Sequence, residues 1–208
     1  MRHDKGYLYR KLNSEYFENT VYIFGLDHYQ RDSKGEDDFT RKLVWFYIYG
    51  DQEIQEELFN DMFDLLEEIF VKDSTRWDYL VPYPSHIKGK INPHMSELVS
   101  DLSGESGIEY NELVRRTQTV EENHEIYSMK KKVVNLRDSL EIEGNVKGKN
   151  LILFDNVSLS GSSLMHAVDF LKENGAGKIA CVCPGLGTER KDKDRRVSGK
   201  KASELIEW

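Results

Sequence analysis

The segment from Asn150 to Leu164, NLILFDNVSLSGSSL, constrains the fold more than any other part of the chain. Its four consecutive apolar residues, 151–154, are typical of a strand that is buried on both faces of a parallel sheet. This strand ends at Asp155, and a serine-rich loop then leads into a helix predicted from about Ser163 to Glu173. Because parallel strands need long crossover connections, which are usually helices, the segment predicts an α/β fold.

The alternation of strand and helix continues on both sides of this segment. Strands are predicted at Tyr79–Tyr83, Glu112–Arg116 and Lys178–Cys183, and the apolar residues Val133, Val134 and Leu136 lead into another. Apolar stripes at helical spacing predict helices over Asp38–Tyr47, Ile54–Ile69 and Met95–Leu102. We therefore expect a doubly wound, mostly parallel sheet flanked by helices, with an N-terminal helical segment that acts as a hood.

Charge divides the 208 residues into three segments. Residues 1–75 carry 17 acidic and 9 basic side chains, whereas residues 76–208 carry 20 of each. We predict an acidic, helix-rich hood or extension over 1–75, an α/β core over 76–187 and a basic tail over 188–208. The tail has seven bases and two acids from Arg190 to Lys201. It can either contact phosphate groups or extend into solvent.

Composition argues against several classes of protein. A net charge of −8 does not indicate nucleic-acid binding, except through the basic tail. There is no apolar run long enough to cross a bilayer and no apolar signal-peptide core, so we expect a cytoplasmic protein without a membrane partner. The two cysteines, Cys181 and Cys183, provide neither a disulfide framework nor a zinc site.

The loop after Asp155 has the chemistry of a phosphate-binding turn. Gly161 allows a tight turn, and the surrounding serine hydroxyls and backbone N–H groups converge on the N-terminus of the next helix. Asp155 lies a few residues away, where it can hold sugar hydroxyls. The motifs GxxxxGK[ST] and GxGxxG are absent, which excludes a P-loop ATPase and a Rossmann dehydrogenase. The pattern indicates a phosphorylated sugar as ligand; the alternative is a capped turn without any ligand.

This segment resembles the phosphoribosyl-pyrophosphate motif of the type I phosphoribosyltransferases. In that motif, four apolar residues and two acids precede a loop of small hydroxylated residues around a glycine. Further segments resemble, in the same order, the ComF-like branch of the superfamily, which covers competence-associated and amidophosphoribosyltransferase-like proteins. They are residues 41–51, WDYLVPYPSH at 77–86, RRTQT at 115–119 and VKGK at 146–149. The resemblance covers about residues 38–185.

The resemblance implies a magnesium-dependent phosphoribosyltransferase. Such an enzyme binds phosphoribosyl pyrophosphate or a nucleotide and transfers the phosphoribosyl group to a nitrogen nucleophile, a base or an amine, with release of pyrophosphate. Homodimers are frequent among similar proteins. Mg²⁺ would bridge ribose and pyrophosphate oxygens, so that Asp155 would contact the metal only indirectly.

The resemblance also implies a role for individual residues. Asp155 and Asn156 would hold the ribose, and Arg115 or Arg116 would close over the leaving group. Ser160, Gly161, Ser162 and Ser163 would bind the 5′-phosphate, and Ser85, His86 and Lys88 would face the pyrophosphate. Ser158 is a further substrate-binding residue. For His86, Lys88 and the two arginines, a solvent-exposed or structural role is the alternative.

Two features depart from the family pattern. Residues 1–75 contain no cysteine, so the N-terminal zinc module common in the ComF-like branch is absent. Asn156 stands where the family has a second acid. Asparagine keeps the hydrogen bonding but removes a negative charge that would stabilise the developing positive charge on the ribose carbon. The alternative function is therefore a catalytically weak or inactive module that binds phosphoribosyl pyrophosphate or a nucleotide and acts in DNA uptake or regulation.

Overall fold

A computed structural model describes residues 6–30, 38–71, 75–122, 125–188 and 194–197 of the chain. The strands are β1 (Tyr7–Ser14), β2 (Phe17–Gly25), β3 (Asp27–Tyr29), β4 (Tyr79–Pro82), β5 (Glu109–Tyr110), β6 (Val114–Arg116), β7 (Leu140–Ile142), β8 (Leu151–Phe154), β9 (Val157–Ser158), β10 (Ile179–Val182), β11 (Gly185–Gly187) and β12 (Asp194–Val197). The helices are α1 (Asp38–Tyr49), α2 (Gln52–Leu66), α3 (Pro93–Ser106), α4 (Met129–Leu136) and α5 (Ser162–Glu173), and α2 continues as a π-helical turn, Glu67–Val71.

The central sheet has the strand order β12-β1-β2-β10-β8-β4-β5. Within the run β2-β10-β8-β4-β5 each pair of neighbouring strands is parallel, whereas β1 is antiparallel to both of its neighbours, β2 and β12. Leu151 of β8 pairs with Tyr79 on one side and with Ile179 on the other. The predicted fold class, a mostly parallel α/β sheet flanked by helices, is confirmed.

Strand β8 lies in the middle of this sheet because both of its faces are apolar. Leu151 and Leu153 pack into one cluster with buried residues of α5 such as Leu164. Ile152 and Phe154 pack into a second cluster with buried residues of α1, α2 and α3. All four side chains of β8 have 0% exposure. Successive residues of a strand point to opposite faces, so the run 151–154 supports a helical layer on each side.

The N-terminal part differs from the helical hood that the sequence analysis expected. Residues 7–25 form the antiparallel pair β1 and β2, and β2 joins the parallel core next to β10. Among the residues that the structure describes, the first helix is α1. Residues 1–20 show no clean period because a charged residue, Arg10, occupies a fully buried position in β1. The division of the chain at residues 75 and 187 stays a prediction.

Part of the basic tail also differs from a solvated extension. Asp194–Val197 form β12, which pairs antiparallel with β1 from Tyr7 to Arg10. The side chain of Asp194 is 1% exposed. The rest of the predicted tail, apart from Thr188, falls on residues 189–193 and 198–208, which lie outside the described residues.

Helix α4 and strands β6 and β7 lie between α3 and β8 in the chain. Val133, Val134 and Leu136 lie in helix α4, and the strand that follows them is β7. β7 pairs with β6 in a separate antiparallel ribbon, so residues 114–116 are not part of the central sheet.

Cys181 and Cys183 are both buried and belong to the same apolar cluster. Within the described ranges, no helix has the length and hydropathy needed to cross a bilayer.

Candidate functional site

A cleft of about 270 Å³ opens at the carboxyl ends of β4 and β8. One wall is the loop that follows β4 and includes Ser85 and His86, and the opposite wall is the segment 155–164 that follows β8. Arg116, at the end of β6, contributes to the lining. The carboxyl edge is where open α/β sheets bind their ligands. The predicted residues Asp155, Asn156, Ser158 and 160–163 therefore share one cavity.

The turn into α5 depends on Gly161. This residue has φ +77° and precedes the first helical residue, Ser162. A Cβ at this position would lie 2.1 Å from Leu12 Cδ1 of β1 and 3.4 Å from Ile23 Cδ1 of β2. Glycine is therefore required both for the left-handed backbone conformation and for the close approach to the sheet.

The hydroxyl groups of the turn lie close to one another. The Oγ atoms of Ser160 and Ser162 are 3.0 Å apart, and the Ser162 amide donates to Ser160 Oγ at 3.4 Å. Together with the first-turn amides of α5 and the positive end of its dipole, these groups can bind an anion. The geometry has the donors and the shape of a phosphate-binding turn.

Asp155 follows β8 directly and is held by the main chain. Its own amide donates to the Val182 carbonyl at 3.0 Å, and the Asn156 amide donates to its Oδ1 at 2.8 Å. Burial raises the pKa of Asp155 to about 6, although the Asn156 amide and the charge of Arg116 both oppose this shift. The carboxylate is therefore ionised at neutral pH, but its ionisation carries a desolvation cost. Hydroxyl donors or a cation in the cleft would reduce this cost.

Arg116 is anchored and largely inaccessible to solvent. Its guanidinium donates to the Ser85 carbonyl at 3.2 Å, to Ser139 Oγ at 2.7 Å and to the Tyr83 hydroxyl at 2.9 Å. It also lies 5.3 Å from the centroid of the Tyr83 ring. The side chain contributes a fixed positive charge to the cleft, and its position depends on groups from two segments, the end of β4 with its following loop and the residue before β7.

Arg115 points elsewhere. It is half exposed and forms an ion pair with Glu143 of 2.8 Å. It lines a second cleft on the other side of the 84–91 loop, together with Lys90 and Glu112. Arg115 therefore does not line the first cleft in this structure.

The loop after β4 is stabilised by contacts with the segment 116–122. The His86 carbonyl accepts a hydrogen bond from the Val120 amide at 2.9 Å, and the Nε2 atom of His86 lies 3.5 Å from Glu122 Oε1. The exposed Lys88 does not line the cleft, and its amide donates to Thr119 Oγ1 at 3.1 Å. Of the three residues predicted at the pyrophosphate, the structure brings Ser85 and His86 to the cleft and leaves Lys88 outside it.

Sequence reasoning missed Lys132. Its Nζ lies 3.2 Å from Ser160 Oγ, and the residue is only 8% exposed, whereas its neighbours Lys130 and Lys131 are exposed. The run of three lysines gives no sign of which one faces inward. The sequence analysis took residues 133–136 to lead into a strand, whereas they belong to helix α4. A helical assignment would have shown that Lys132 and Leu136 lie on the same, buried face of the helix.

Arg10 is the second residue that sequence reasoning missed. It is fully buried, and all five of its N–H donors have acceptors. Nη1 donates to the Ser158 and Leu159 carbonyls at 3.2 and 2.9 Å, Nη2 to the Gly187 carbonyl at 2.7 Å, and Nε and Nη2 to the Asp194 carboxylate at 2.6 and 2.8 Å. Arg10 therefore connects β1 and β12 to the backbone that leads into the turn.

A divalent cation would find few protein ligands in this cleft. Over the described ranges, no group of three or more His, Cys, Asp and Glu side chains is arranged to hold a metal. Asp155 supplies one carboxylate and Asn156 one amide oxygen. This set fits Mg²⁺, which commonly binds through one or two carboxylates, several waters and the phosphate oxygens of a substrate.

Comparisons with known proteins find similarity among solved structures. No family model matches the chain, and no curated protein matches it. Similar structures include adenine phosphoribosyltransferase from Trypanosoma brucei, with 9% identity, coverage of 79% of this chain and 83% of that chain, and a TM-score of 0.46. Another is purine phosphoribosyltransferase from Pyrococcus horikoshii, with 16% identity, coverage of 65% and 75%, and a TM-score of 0.41.

The allosteric regulatory enzyme of purine biosynthesis is also similar, with 17% identity and a TM-score of 0.42. The match covers 67% of this chain and 29% of that enzyme, so this chain spans less than a third of its length. At such identities, the function of this chain has to come from its own residues and their geometry.

Proposed function

We propose that this chain binds phosphoribosyl pyrophosphate and transfers the phosphoribosyl group to a nitrogen nucleophile with release of pyrophosphate. One observation carries the proposal: Asp155 and the Gly161 turn face the same cleft at the carboxyl edge of the sheet. A phosphate-binding turn next to a partly buried carboxylate matches a sugar phosphate, which needs an anion site and a hydroxyl site side by side. The ordered resemblance of residues 38–185 to the ComF-like branch supports the same ligand.

The residues have distinct roles in this proposal. The amides and hydroxyls at 160–163 bind the 5′-phosphate, and Asp155 and Asn156 accept hydrogen bonds from the ribose hydroxyls. Ser85 and His86 face the pyrophosphate, and Arg116 adds a fixed positive charge. Mg²⁺, when bound, neutralises part of the charge on the pyrophosphate oxygens.

The reaction forms one bond and breaks one. The nitrogen lone pair forms the new bond to C1′ of the ribose, and the C1′–oxygen bond breaks with its electron pair leaving on pyrophosphate. The nitrogen then loses its proton to solvent. Positive charge develops on the ribose during this displacement, and the ionised Asp155 carboxylate stabilises it. With a pKa of about 6, Asp155 is ionised at neutral pH.

The proposal is tested by isothermal titration with phosphoribosyl pyrophosphate and Mg²⁺. We expect binding by the wild type and a loss of affinity of about ten-fold or more in Ser163→Ala and Asp155→Ala, because each removes a group that contacts a charged or hydroxylated ligand. Ser100→Ala is the matched control, since Ser100 is exposed on α3. Equal affinities in all four proteins would contradict the proposed site.

Catalysis is tested separately from binding. Pyrophosphate release is measured with ammonia and with a panel of purine and pyrimidine bases as acceptors. We expect release with at least one acceptor, and its loss in Asp155→Ala. Tight binding without release for any acceptor would contradict the transfer reaction while leaving the binding site intact.

A second function is a binding module without catalysis. Two observations favour it: Asn156 carries no charge, and Arg115 is paired with Glu143 outside the cleft. Such a module would sense phosphoribosyl pyrophosphate or a nucleotide in DNA uptake or regulation. Asn156→Asp distinguishes the two functions, because the added carboxylate should increase pyrophosphate release only in an enzyme that the missing charge limits.

A further inference from the structure

Strand β1 lies directly behind the phosphate turn. Residues two apart in a strand share a face, so Arg10 and Leu12 lie on the same side of β1. Leu12 Cδ1 is the atom that a Cβ at Gly161 would meet, at 2.1 Å. Arg10 reaches the same loop a few residues earlier, at the backbone of Ser158 and Leu159. One face of β1 therefore packs against the turn at two places.

The contacts of Arg10 fix the position of two carbonyl oxygens. Its Nη1 donates to the Ser158 carbonyl at 3.2 Å and to the Leu159 carbonyl at 2.9 Å. Arg10 is 0% exposed, and among the described residues it is not part of the lining of the first cleft, whereas Ser158 and Leu159 are. The two oxygens are therefore bound by a group that lies behind the wall of the cleft.

The direction of these carbonyls decides the direction of the next amides. In a trans peptide the C=O group and the following N–H group point in opposite directions. Because the Leu159 carbonyl points toward Arg10, the Ser160 amide points away from Arg10. Ser160 lines the cleft, and its amide makes no hydrogen bond within the part of the chain that the structure describes. Phosphate-binding turns need amides in this free arrangement and no carbonyl oxygen near the anion.

Asp194 of β12 holds the guanidinium in its orientation. Nε and Nη2 of Arg10 donate to the Asp194 carboxylate at 2.6 and 2.8 Å, and Nη2 also donates to the Gly187 carbonyl at 2.7 Å. Since the guanidinium is planar, the two bonds to Asp194 also set the direction of Nη1. The carboxylate offsets the charge of Arg10, so the effect of Arg10 on the turn is geometric.

We propose that Arg10 is a positioning residue for the phosphate group: it holds two carbonyl oxygens behind the cleft and leaves the amides of the turn for the anion. This inference rests on the proposed function and extends it to a residue of β1 that contacts no ligand. It implies that Arg10 affects the 5′-phosphate subsite and not the pyrophosphate subsite, which is formed by other segments.

The experiment measures two affinities separately by isothermal titration, for ribose 5-phosphate and for inorganic pyrophosphate with Mg²⁺. Arg10→Lys keeps the charge, but a single ammonium nitrogen cannot serve all the acceptors of the guanidinium. Arg196→Lys is the matched control, because Arg196 is an exposed residue of β12 that donates to the Gly6 carbonyl and to Asp27.

The two ligands should respond differently. In Arg10→Lys we expect the affinity for ribose 5-phosphate to fall by about ten-fold or more, and the affinity for pyrophosphate to change by no more than about two-fold. In Arg196→Lys both affinities should stay within about two-fold of the wild type.

A second variant separates positioning from stability. Asp194→Asn removes the carboxylate charge but leaves the contacts of Arg10 with the three backbone carbonyls. We expect a lower melting temperature, because a buried charge loses its partner, but an affinity for ribose 5-phosphate within about three-fold of the wild type. If the losses of affinity in Arg10→Lys and Asp194→Asn simply follow their losses of melting temperature, Arg10 is only structural and the inference is overturned.

A third measurement uses the wild type and does not depend on the folding of a variant. The exchange of the Arg10 guanidinium N–H groups with solvent is followed by NMR spectroscopy, with and without each ligand. A ligand that requires the arrangement held by Arg10 stabilises it by mass action. We therefore expect saturating ribose 5-phosphate to slow this exchange at least about five-fold more than saturating pyrophosphate does. Equal slowing by the two ligands would overturn the inference.

The outcomes also separate this inference from the proposed function. Unchanged ribose 5-phosphate binding in Arg10→Lys would overturn the role of Arg10 and leave the phosphate turn and the proposed function intact. Equal weakening of both ligands in Arg10→Lys would indicate a general disturbance of the cleft and would overturn the inference. An absence of ribose 5-phosphate and phosphoribosyl pyrophosphate binding by the wild type would overturn the proposed function as well.

Discussion

The replacement of Gly161 by alanine tests whether strand β1 shapes the phosphate turn. The backbone at this position has φ +77°, a conformation that costs an L-residue about 1–2 kcal/mol. The new Cβ would also lie 2.1 Å from Leu12 Cδ1, and relief of such overpacking typically costs about 1–3 kcal/mol. We therefore expect Gly161→Ala to lower the free energy of unfolding by about 2–5 kcal/mol.

A matched glycine separates the two contributions. Gly107, at the C-terminus of α3, has φ +71°, and a Cβ built there meets no atom within 4 Å. Gly107→Ala should therefore show only the backbone cost, about 1–2 kcal/mol. Urea unfolding followed by circular dichroism gives both values, and equal losses in the two variants would refute the steric role of Leu12.

A double-mutant cycle extends the test. Leu12→Ala alone leaves a cavity in a buried cluster and should cost about 2–5 kcal/mol. In the Gly161→Ala background the same change also removes the obstacle to the new methyl group. Its cost should therefore be smaller by about 1–3 kcal/mol, which is the coupling energy of the two sites. Strict additivity would contradict a contact between these positions.

Three further changes have defined outcomes. Burial raises the pKa of Asp155 to about 6, above about 3.9 in an unfolded chain, so the free energy of unfolding of the wild type falls as the pH rises from 4 through 6. The melting temperature of Asp155→Asn, measured relative to that of the wild type, should therefore be higher at pH 8 than at pH 4.5. A difference between the two proteins that does not change with pH would argue against the raised pKa. Arg10→Met removes the guanidinium partner of the buried Asp194 carboxylate, which keeps His28 Nε2 at 3.0 Å, and also removes the donors to three backbone carbonyls; it should cost about 3–5 kcal/mol in urea unfolding. A second change, Asp194→Asn, should recover part of this loss, and no recovery would count against the ion pair. Asn92 accepts from the His94 and Met95 amides at the start of α3, so Asn92→Ala should cost about 1 kcal/mol, whereas Asn92→Asp should remain close to wild type.

The core of the fold could be predicted because its signals are local. The run Leu151–Phe154 and the stripe of α2 follow the periods of a buried strand and of an amphipathic helix, and both elements form where expected. At the start of α2, Asp51 accepts from the Ile54 amide as an N-cap, a position that aspartate favours. Such patterns depend on a few neighbouring residues, so they can be recognised in the sequence when the tertiary structure is not known.

The N-terminal strands could not be predicted from the same signals. In β1, Arg10 occupies a position that a core residue would normally fill, and the charge hides the alternation of buried and exposed side chains. The burial of Arg10 is possible only because Asp194, 184 residues later in the sequence, and three backbone carbonyls satisfy its donors. A partner so distant in sequence leaves no local pattern.

The sequence by itself determined the parallel core and the chemistry of the loop after β8, because strand period, helix period and glycine conformation are properties of short segments. Only the tertiary structure decided which cations accompany that loop. It brings Lys132 to Ser160, anchors Arg116 in the lining of the cleft and leaves Arg115 with Glu143, although all three side chains are equally basic in the sequence. The direction of a side chain depends on the packing of its element against others, and the packing of α4 and β6 involves residues far away in the chain.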